Sequence, residues 1–111
     1  MSSKEKFKKF KKKRQEAYNI SSKILYYLRH HKHKIHIKKI ARGVYGYFED
    51  YNHEITLDYR RDLVPTLIHE ILHDWHMDWS ETKVIKEERR IVNLLTPRQA
   101  TNILKALVKI I

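Results

Sequence analysis

Residues 62–76, DLVPTLIHEILHDWH, decide how the rest of the chain is interpreted. Asp62 is a residue type that caps helix N-termini, and Pro65 falls in the first turn, where the N–H that proline lacks has no intrahelical partner. Apolar side chains then recur at helical spacing. The pattern predicts a helix from Leu63 to about His76 with one apolar face and one face that carries histidines.

Two histidines of this helix form the pattern H-E-x-x-H, with His69 and His73 four residues apart and Glu70 between them. Positions i and i+4 share a helix face, so both imidazoles can converge on one zinc ion at bond lengths of about 2.0 to 2.1 Å. Glu70 is rotated about 100° from His69, beside that point, where its carboxylate can accept a proton from an attacking water. We expect one Zn²⁺ per chain on the two histidines, with Glu70 as the general base.

A catalytic zinc requires a third protein ligand and keeps one position open. His76 lies about 10.5 Å of helix rise beyond His69, too far for both to meet one ion, so we interpret it as a surface or outer histidine. Glu81 and Glu88 fall on the inward side of the next predicted helix, where a carboxylate requires a cation. We favour Glu81 as the ligand because it is nearer the turn that leads back to His73. Glu88 is the alternative ligand, and otherwise orients a ligand or pairs with an arginine.

The apolar periodicity of the remaining chain predicts its other elements. The lysine-rich beginning has helical spacing, and we expect Phe7 and Phe10 to anchor it in the core. Alternation with intervening turn residues predicts three short strands, the last two forming a hairpin. Ser80 begins the helix with the two glutamates, and Thr96 with Gln99 predicts a capping box for a last helix.

These elements predict one compact α+β domain that spans residues 1–111. It contains a long N-terminal helix, a small three-stranded antiparallel sheet, an active-site helix, a glutamate helix and a C-terminal helix. The expected bounds are about 4–30 for the N-terminal helix, 35–58 for the sheet, 63–95 for the catalytic helices and 97–110 for the C-terminal helix. Hydrophobic residues make up 41% of the chain, enough for one modest core.

Positive charge is concentrated at the start of the chain. The net charge is +11, and residues 1–40 hold 14 Lys and Arg against 2 Glu, whereas the remainder is close to neutral. The basic run from Lys8 to Arg14 is a candidate for binding nucleic-acid phosphates. Because Phe7 and Phe10 have the spacing of core anchors, we do not expect nucleic-acid binding to be the main role.

Cysteine is absent from the sequence. A metal ion must therefore rest on His, Asp, Glu or water, and no disulfide is expected. The lysine-rich start has no apolar run behind it, so neither a signal peptide nor a spanning helix is predicted. We expect a cytoplasmic protein with no membrane partner.

The stretch Ile55–Ile91, ITLDYRRDLVPTLIHEILHDWHMDWSETKVIKEERRI, resembles the minigluzincins, very small zinc peptidases related to selecase that are found in archaea. The strand before H-E-x-x-H and the pattern Ser80, Glu81, Val84 after it carry the resemblance. There is also a looser likeness to SprT-like peptidases, whose further ligand is a histidine. Trp79 stands at that place here and cannot bind zinc, which favours the glutamate type.

The resemblance implies an archaeal zinc endopeptidase of the gluzincin type. It implies that His69, His73 and Glu81 bind the zinc and that Glu70 is catalytic. It also implies latency, with a chain terminus or a neighbouring molecule over the cleft. We therefore expect a homo-oligomer, and the apolar residues of segment 107–111 are the candidates for self-association.

The expected substrate is an unfolded or extended protein segment. We expect it to pair through backbone hydrogen bonds with the free edge of one predicted strand, which makes specificity broad. That strand consists of Glu54, Ile55, Thr56, Leu57 and Asp58. Two alternatives stay open: a basic nucleic-acid-binding module, and a structural zinc protein in which a closed ion joins two helices without catalysis.

Overall fold

A computed structural model describes residues 2–41, 43–60 and 62–110 of the chain. Within those residues one long helix precedes three strands, and three shorter helices follow. The bounds are α1 Ser3–His31, β1 Ile35–Lys38, β2 Gly46–Glu49, β3 Glu54–Asp58, α2 Leu63–Trp75, α3 Glu81–Leu94 and α4 Pro97–Val108, with a 3-10 turn at Lys32–Lys34. The predicted α+β class is confirmed.

Three helices begin at the residues that the sequence predicts. Ser80 accepts a hydrogen bond from the third residue of α3, and Thr96 with Gln99 forms the predicted capping box of α4. Asp62 precedes α2 as expected, but its side chain accepts no hydrogen bond from the first turn. Its backbone carbonyl instead accepts a hydrogen bond from the Thr66 hydroxyl at 2.7 Å.

The sheet is mixed, so the prediction of an antiparallel sheet is wrong. The order is β1-β3-β2: β2 and β3 form the predicted hairpin, whereas β1 pairs with β3 in parallel, with Ile35 opposite Ile55. Alternating apolar residues specify the two faces of a strand but not its neighbours. The connection of residues 39–45 reaches roughly 23 Å when extended, about twice the distance across two strand spacings, so β2 can lie beyond β3.

Helix α2 lies at the centre of a single hydrophobic core. It packs between the sheet and the other helices. The core residues with at most 1% of their surface exposed are Ile24, Ile55, Leu57, Leu67, Ile68, Ile71, Val84, Ile103 and Leu107. Because the apolar face of α2 is enclosed in this way, its histidines are left on the side that faces away from the core.

The prediction about the start of the chain is wrong, whereas self-association through the end of the chain stays a prediction. Phe7 and Phe10 are not core anchors, since each is 58% exposed, and the first core residue of α1 is Ala17. A helix of 29 residues is about 43 Å long, so α1 is longer than the part of the molecule that it packs against. In the predicted self-association segment Leu107 belongs to the core, and Ile111 lies outside the described residues.

Over the described part of the chain, no helix combines the length and the apolar character needed to cross a bilayer.

Candidate active site

Helix α2 presents His69, Glu70 and His73 along one side. A ligand-type atom of each of these residues lies within 4.8 Å of the corresponding atoms of the other two, which makes the group able to hold a metal ion. The two histidines are partly exposed, whereas Glu70 is buried. The i, i+4 spacing accounts for the paired imidazoles.

Glu81, the first residue of α3, completes a tripod with the two histidines. Its carboxylate oxygens lie 2.6 Å from His69 Nε2 and 3.0 Å from His73 Nε2, and the two Nε2 atoms are 3.2 Å apart. Ligands about 2.0 to 2.1 Å from a tetrahedral ion are roughly 3.3 Å from one another. Two facing imidazole nitrogens and a carboxylate therefore have the spacing and the chemistry of a metal donor set.

Glu88 contacts the opposite side of the His69 ring. Its Oε1 lies 2.8 Å from His69 Nδ1, and Glu88 follows Glu81 by about two turns of α3. With a proton on Nδ1, that ring donates to Glu88 and keeps the Nε2 lone pair directed at the tripod. The geometry thus assigns the two glutamates different positions: Glu81 faces Nε2 of both histidines, and Glu88 orients one of them.

The Glu70 carboxyl is enclosed beside the tripod, with only 5% of its surface exposed. Burial raises its pKa to about 7; Glu81 and Glu88 add to the increase, and His69 opposes it. A carboxyl with a pKa near neutrality can accept a proton and later return it. No described basic side chain forms an ion pair with Glu70, so it is available for proton transfer.

A cavity of about 820 Å³ lies in front of these residues. Its walls come from α2, α3 and strand β2, and it includes both histidines together with Glu70, Glu81 and Glu88. The β2 side consists of Tyr45, Gly46, Tyr47 and Phe48. The tripod is therefore at the floor of an open cleft rather than inside the core.

Strand β2 approaches α2 closely because residue 46 is glycine. A Cβ atom at Gly46 would lie 2.8 Å from Thr66 Cγ2 and 2.9 Å from the Thr56 carbonyl oxygen, both too short for real contacts. Gly46 and its neighbours are not among the residues predicted for the site. The available signal was the glycine inside a predicted strand, which often marks a close backbone approach.

The predicted substrate strand does not border the cleft. Strand β3, which is Glu54 to Asp58, is the central strand, and both of its edges are hydrogen-bonded to neighbours. The prediction that its edge is free is therefore wrong. The reason is the strand order described above, which places β2 between β3 and the cleft. Among the described strands, none pairs with the other edge of β2.

A hydrogen-bonded network stabilises the C-terminal end of α2. Asp74 accepts a hydrogen bond from the Tyr27 hydroxyl at 2.8 Å and lies 2.5 Å from His53 Nδ1. Burial, assisted by the Asp74 carboxylate, raises the pKa of Tyr27 above its usual range, so the phenol stays a donor. Because Asp74 follows His73 directly, the network connects the turn of α2 that carries His73 to α1 and to the β2–β3 turn.

His76 is not part of the described cleft lining. The His76 ring stacks on the Trp79 ring, with centroids 3.7 Å apart and an interplanar angle of 5°. Lys83 of α3 also contacts Trp79, with its Nζ 4.5 Å from the centroid of the ring. This agrees with its interpretation as an outer histidine. The stack lies in the connection between α2 and α3, which returns the chain so that Glu81 meets His73.

Comparisons of the chain with protein-family models, with curated proteins and with solved structures give no match.

Proposed function

We propose that the chain is a zinc-dependent endopeptidase of the gluzincin type that hydrolyses peptide bonds in unfolded or extended protein segments. One observation carries the proposal: His69, His73 and Glu81 converge at 2.6 to 3.2 Å beside the buried Glu70. That set supplies three ligands and a proton acceptor at the floor of a cleft. The resemblance of the motif to minigluzincins supports the same activity.

In the proposal, His69, His73 and Glu81 hold one Zn²⁺ per chain, because two imidazoles and a carboxylate form a common catalytic zinc set. A bound zinc ion supplies Lewis acidity, which polarises a carbonyl and lowers the pKa of water from 15.7 to about 7. Glu88 holds the His69 ring through Nδ1, which fixes its tautomer and its direction.

Glu70 is the general base and then the general acid. Its carboxylate removes a proton from the attacking water and transfers that proton to the nitrogen of the departing amine. The burial that raises its pKa suits both steps, since the group can hold the proton between them. Its position on α2, one residue from His69, keeps it beside the reacting carbonyl without occupying a ligand position.

The free edge of β2 is the proposed substrate surface. Gly46, Tyr47 and Phe48 of β2 line the cleft in sequence, so an extended peptide can add to this strand through backbone hydrogen bonds. Such pairing reads main-chain atoms, which favours broad specificity and excludes folded segments. This edge replaces β3 as the surface that presents the scissile bond to Glu70.

The volume of the cleft favours catalysis over a structural zinc site. A structural ion has four protein ligands and a closed shell. Here three donors meet next to a cavity of about 820 Å³, which leaves room for a substrate on the remaining side. The proposal includes latency through self-association and a cytoplasmic location, which rest on the resemblance and on the composition.

The test is cleavage of an unstructured protein by the zinc-loaded chain, followed by mass spectrometry over a dilution series. The Glu70→Gln variant should bind zinc and lose cleavage. The Glu87→Gln variant is the control, because Glu87 pairs with Arg90 on the surface, and it should retain cleavage. Cleavage that emerges only on dilution would support latency, whereas equal cleavage by Glu70→Gln would refute the mechanism.

A further inference from the structure

The first half of α1 projects from the folded body. Residues 2–15, called the basic arm here, are all exposed, and the core begins only at Ala17. A capping box between Ser2 and Glu5 starts the helix, so the arm is helical from its first turn. Because the arm buries no side chain, its composition is not constrained by packing.

Eight cations occupy the basic arm. They are Lys4, Lys6, Lys8, Lys9, Lys11, Lys12, Lys13 and Arg14, and the only acid among residues 2–15 is Glu5, which is engaged in the capping box. None of these cations forms an ion pair with a described residue. Several of them are four residues apart, such as Lys8 and Lys12, and like charges at that spacing repel one another along a helix. A polyanion laid along the arm would relieve this repulsion.

Two aromatic rings stand among these cations. Phe7 and Phe10 are each 58% exposed, with Lys11 Nζ 5.1 Å from the Phe7 ring and the Arg14 guanidinium 5.9 Å from the Phe10 ring. The spacing of the two rings predicts core anchors, and that prediction is the ground on which nucleic-acid binding is not expected to be the main role. Their exposure removes that reason, because an exposed ring beside a cation is a stacking surface for a base.

The distribution of charge around the basic arm favours nucleic acid over a membrane surface as its partner. At about 100° per residue, Lys6 and Arg14 lie roughly 40° to either side of Phe10, and the widest charge-free sector of the arm is about 80°. A helix that lies in a membrane interface has a broad apolar face. Cations that surround the whole helix, with rings between them, instead match a flexible chain of phosphates and bases.

We infer that the basic arm is a binding site for single-stranded nucleic acid, with its lysines on phosphates and with Phe7 and Phe10 stacked on unpaired bases. Phe10 also borders a groove of about 510 Å³ between α1 and the α3–α4 junction, whose lining includes Asn93 and Thr96. A base stacked on Phe10 would have these polar groups beside it. The inference does not depend on the proposed peptidase activity.

The experiment measures the binding of the full chain to a fluorescent mixed-sequence single-stranded oligonucleotide by anisotropy over a series of salt concentrations. Affinity should fall linearly with salt on logarithmic axes. Changing Lys8 and Lys12 together to Gln should reduce that slope by about 0.7 for each lysine. The matched control changes Lys105 and Lys109 to Gln, since these lysines have the same spacing and are both exposed, Lys105 in the last turn of α4 and Lys109 at its C-cap, and it should leave the slope unchanged.

Replacing Phe7 or Phe10 with Ala tests the stacking. Each change should weaken binding on the order of tenfold while the salt slope stays the same. Three results would overturn the inference: an equal loss in the Lys105 and Lys109 control, unchanged affinity in both phenylalanine variants, or tighter binding of a duplex than of the single strand. Because every residue of the arm is exposed, circular dichroism should show every variant folded.

Discussion

Nδ1 of His69 lies 2.8 Å from Glu88, while Nε2 of the same ring lies 2.6 Å from Glu81. One imidazole is thus held between two carboxylates of α3 that are seven residues apart. Only Glu81 also reaches His73, at 3.0 Å. The two carboxylates therefore have separable effects, because one contacts a single histidine and the other contacts both.

Replacing Glu88 with Ala should weaken zinc binding without abolishing it. The expected loss is about 10- to 100-fold in affinity, the usual effect of removing a group that orients a ligand. Competition with a chromophoric zinc chelator measures it, and Glu87→Ala serves as the neighbouring control. Complete loss of zinc in Glu88→Ala would show that Glu88 is itself a ligand.

Replacing Gly46 with Ala should destabilise the fold and displace β2 from α2. The added Cβ meets Thr66 Cγ2 and the Thr56 carbonyl oxygen below 3.0 Å, and overpacking of this kind costs about 1–3 kcal/mol. Chemical denaturation measures the change. Adding Thr66→Ser removes the nearest atom and should restore part of the loss. A Gly46→Ala protein as stable as the wild type would contradict the close approach.

The helices, the caps of α3 and α4, and the paired histidines could be predicted from the sequence because they depend on local spacing. The four-residue period places His69 and His73 together, and the turn after α2 favours Glu81 as their partner. Strand order could not be predicted in this way. The alternation of apolar residues is the same whether β3 lies at the edge or at the centre, so the substrate edge was assigned to the wrong strand.

The apolar periodicity of α1 also could not predict that Phe7 and Phe10 are exposed. Both continue the apolar stripe of α1, but whether a stripe is buried depends on how far the rest of the molecule extends beside it. The close approach of β2 to α2 at Gly46 could not be predicted for a similar reason, since its neighbours Thr66 and Thr56 are distant in sequence.

The Asp58–Arg60 pair should make the stability of the fold depend on pH in the acidic range. Hydrogen bonds from the Arg60 guanidinium, at 2.7 and 3.0 Å, hold the pKa of the enclosed Asp58 carboxyl well below its ordinary 3.8. The unfolded chain then binds a proton that the native chain does not, so this contribution is present above about pH 4 and decreases below it. In denaturation curves, wild type should exceed Asp58→Asn in stability at pH 7 by more than at pH 3. A constant difference would contradict the assignment.

Replacing Tyr27 with Phe should lower stability by about 1 to 3 kcal/mol, because the partly buried Asp74 carboxylate loses a hydrogen bond at 2.8 Å. Tyr26→Phe is the control: Tyr26 is 60% exposed, and its loss should stay within about 0.5 kcal/mol. Denaturant unfolding of the two variants in parallel gives the comparison. Equal effects in both would show that the Asp74 network does not stabilise the end of α2.

The most direct test of the central claim measures bound zinc and peptide cleavage in the same samples of wild type and Glu81→Ala. Wild type should carry one zinc per chain and cleave an unstructured substrate. Glu81→Ala should remain folded, since the Glu81 side chain is 60% exposed, but should lose most of its zinc and its cleavage together. Full zinc occupancy and undiminished cleavage in Glu81→Ala would contradict the tripod of His69, His73 and Glu81.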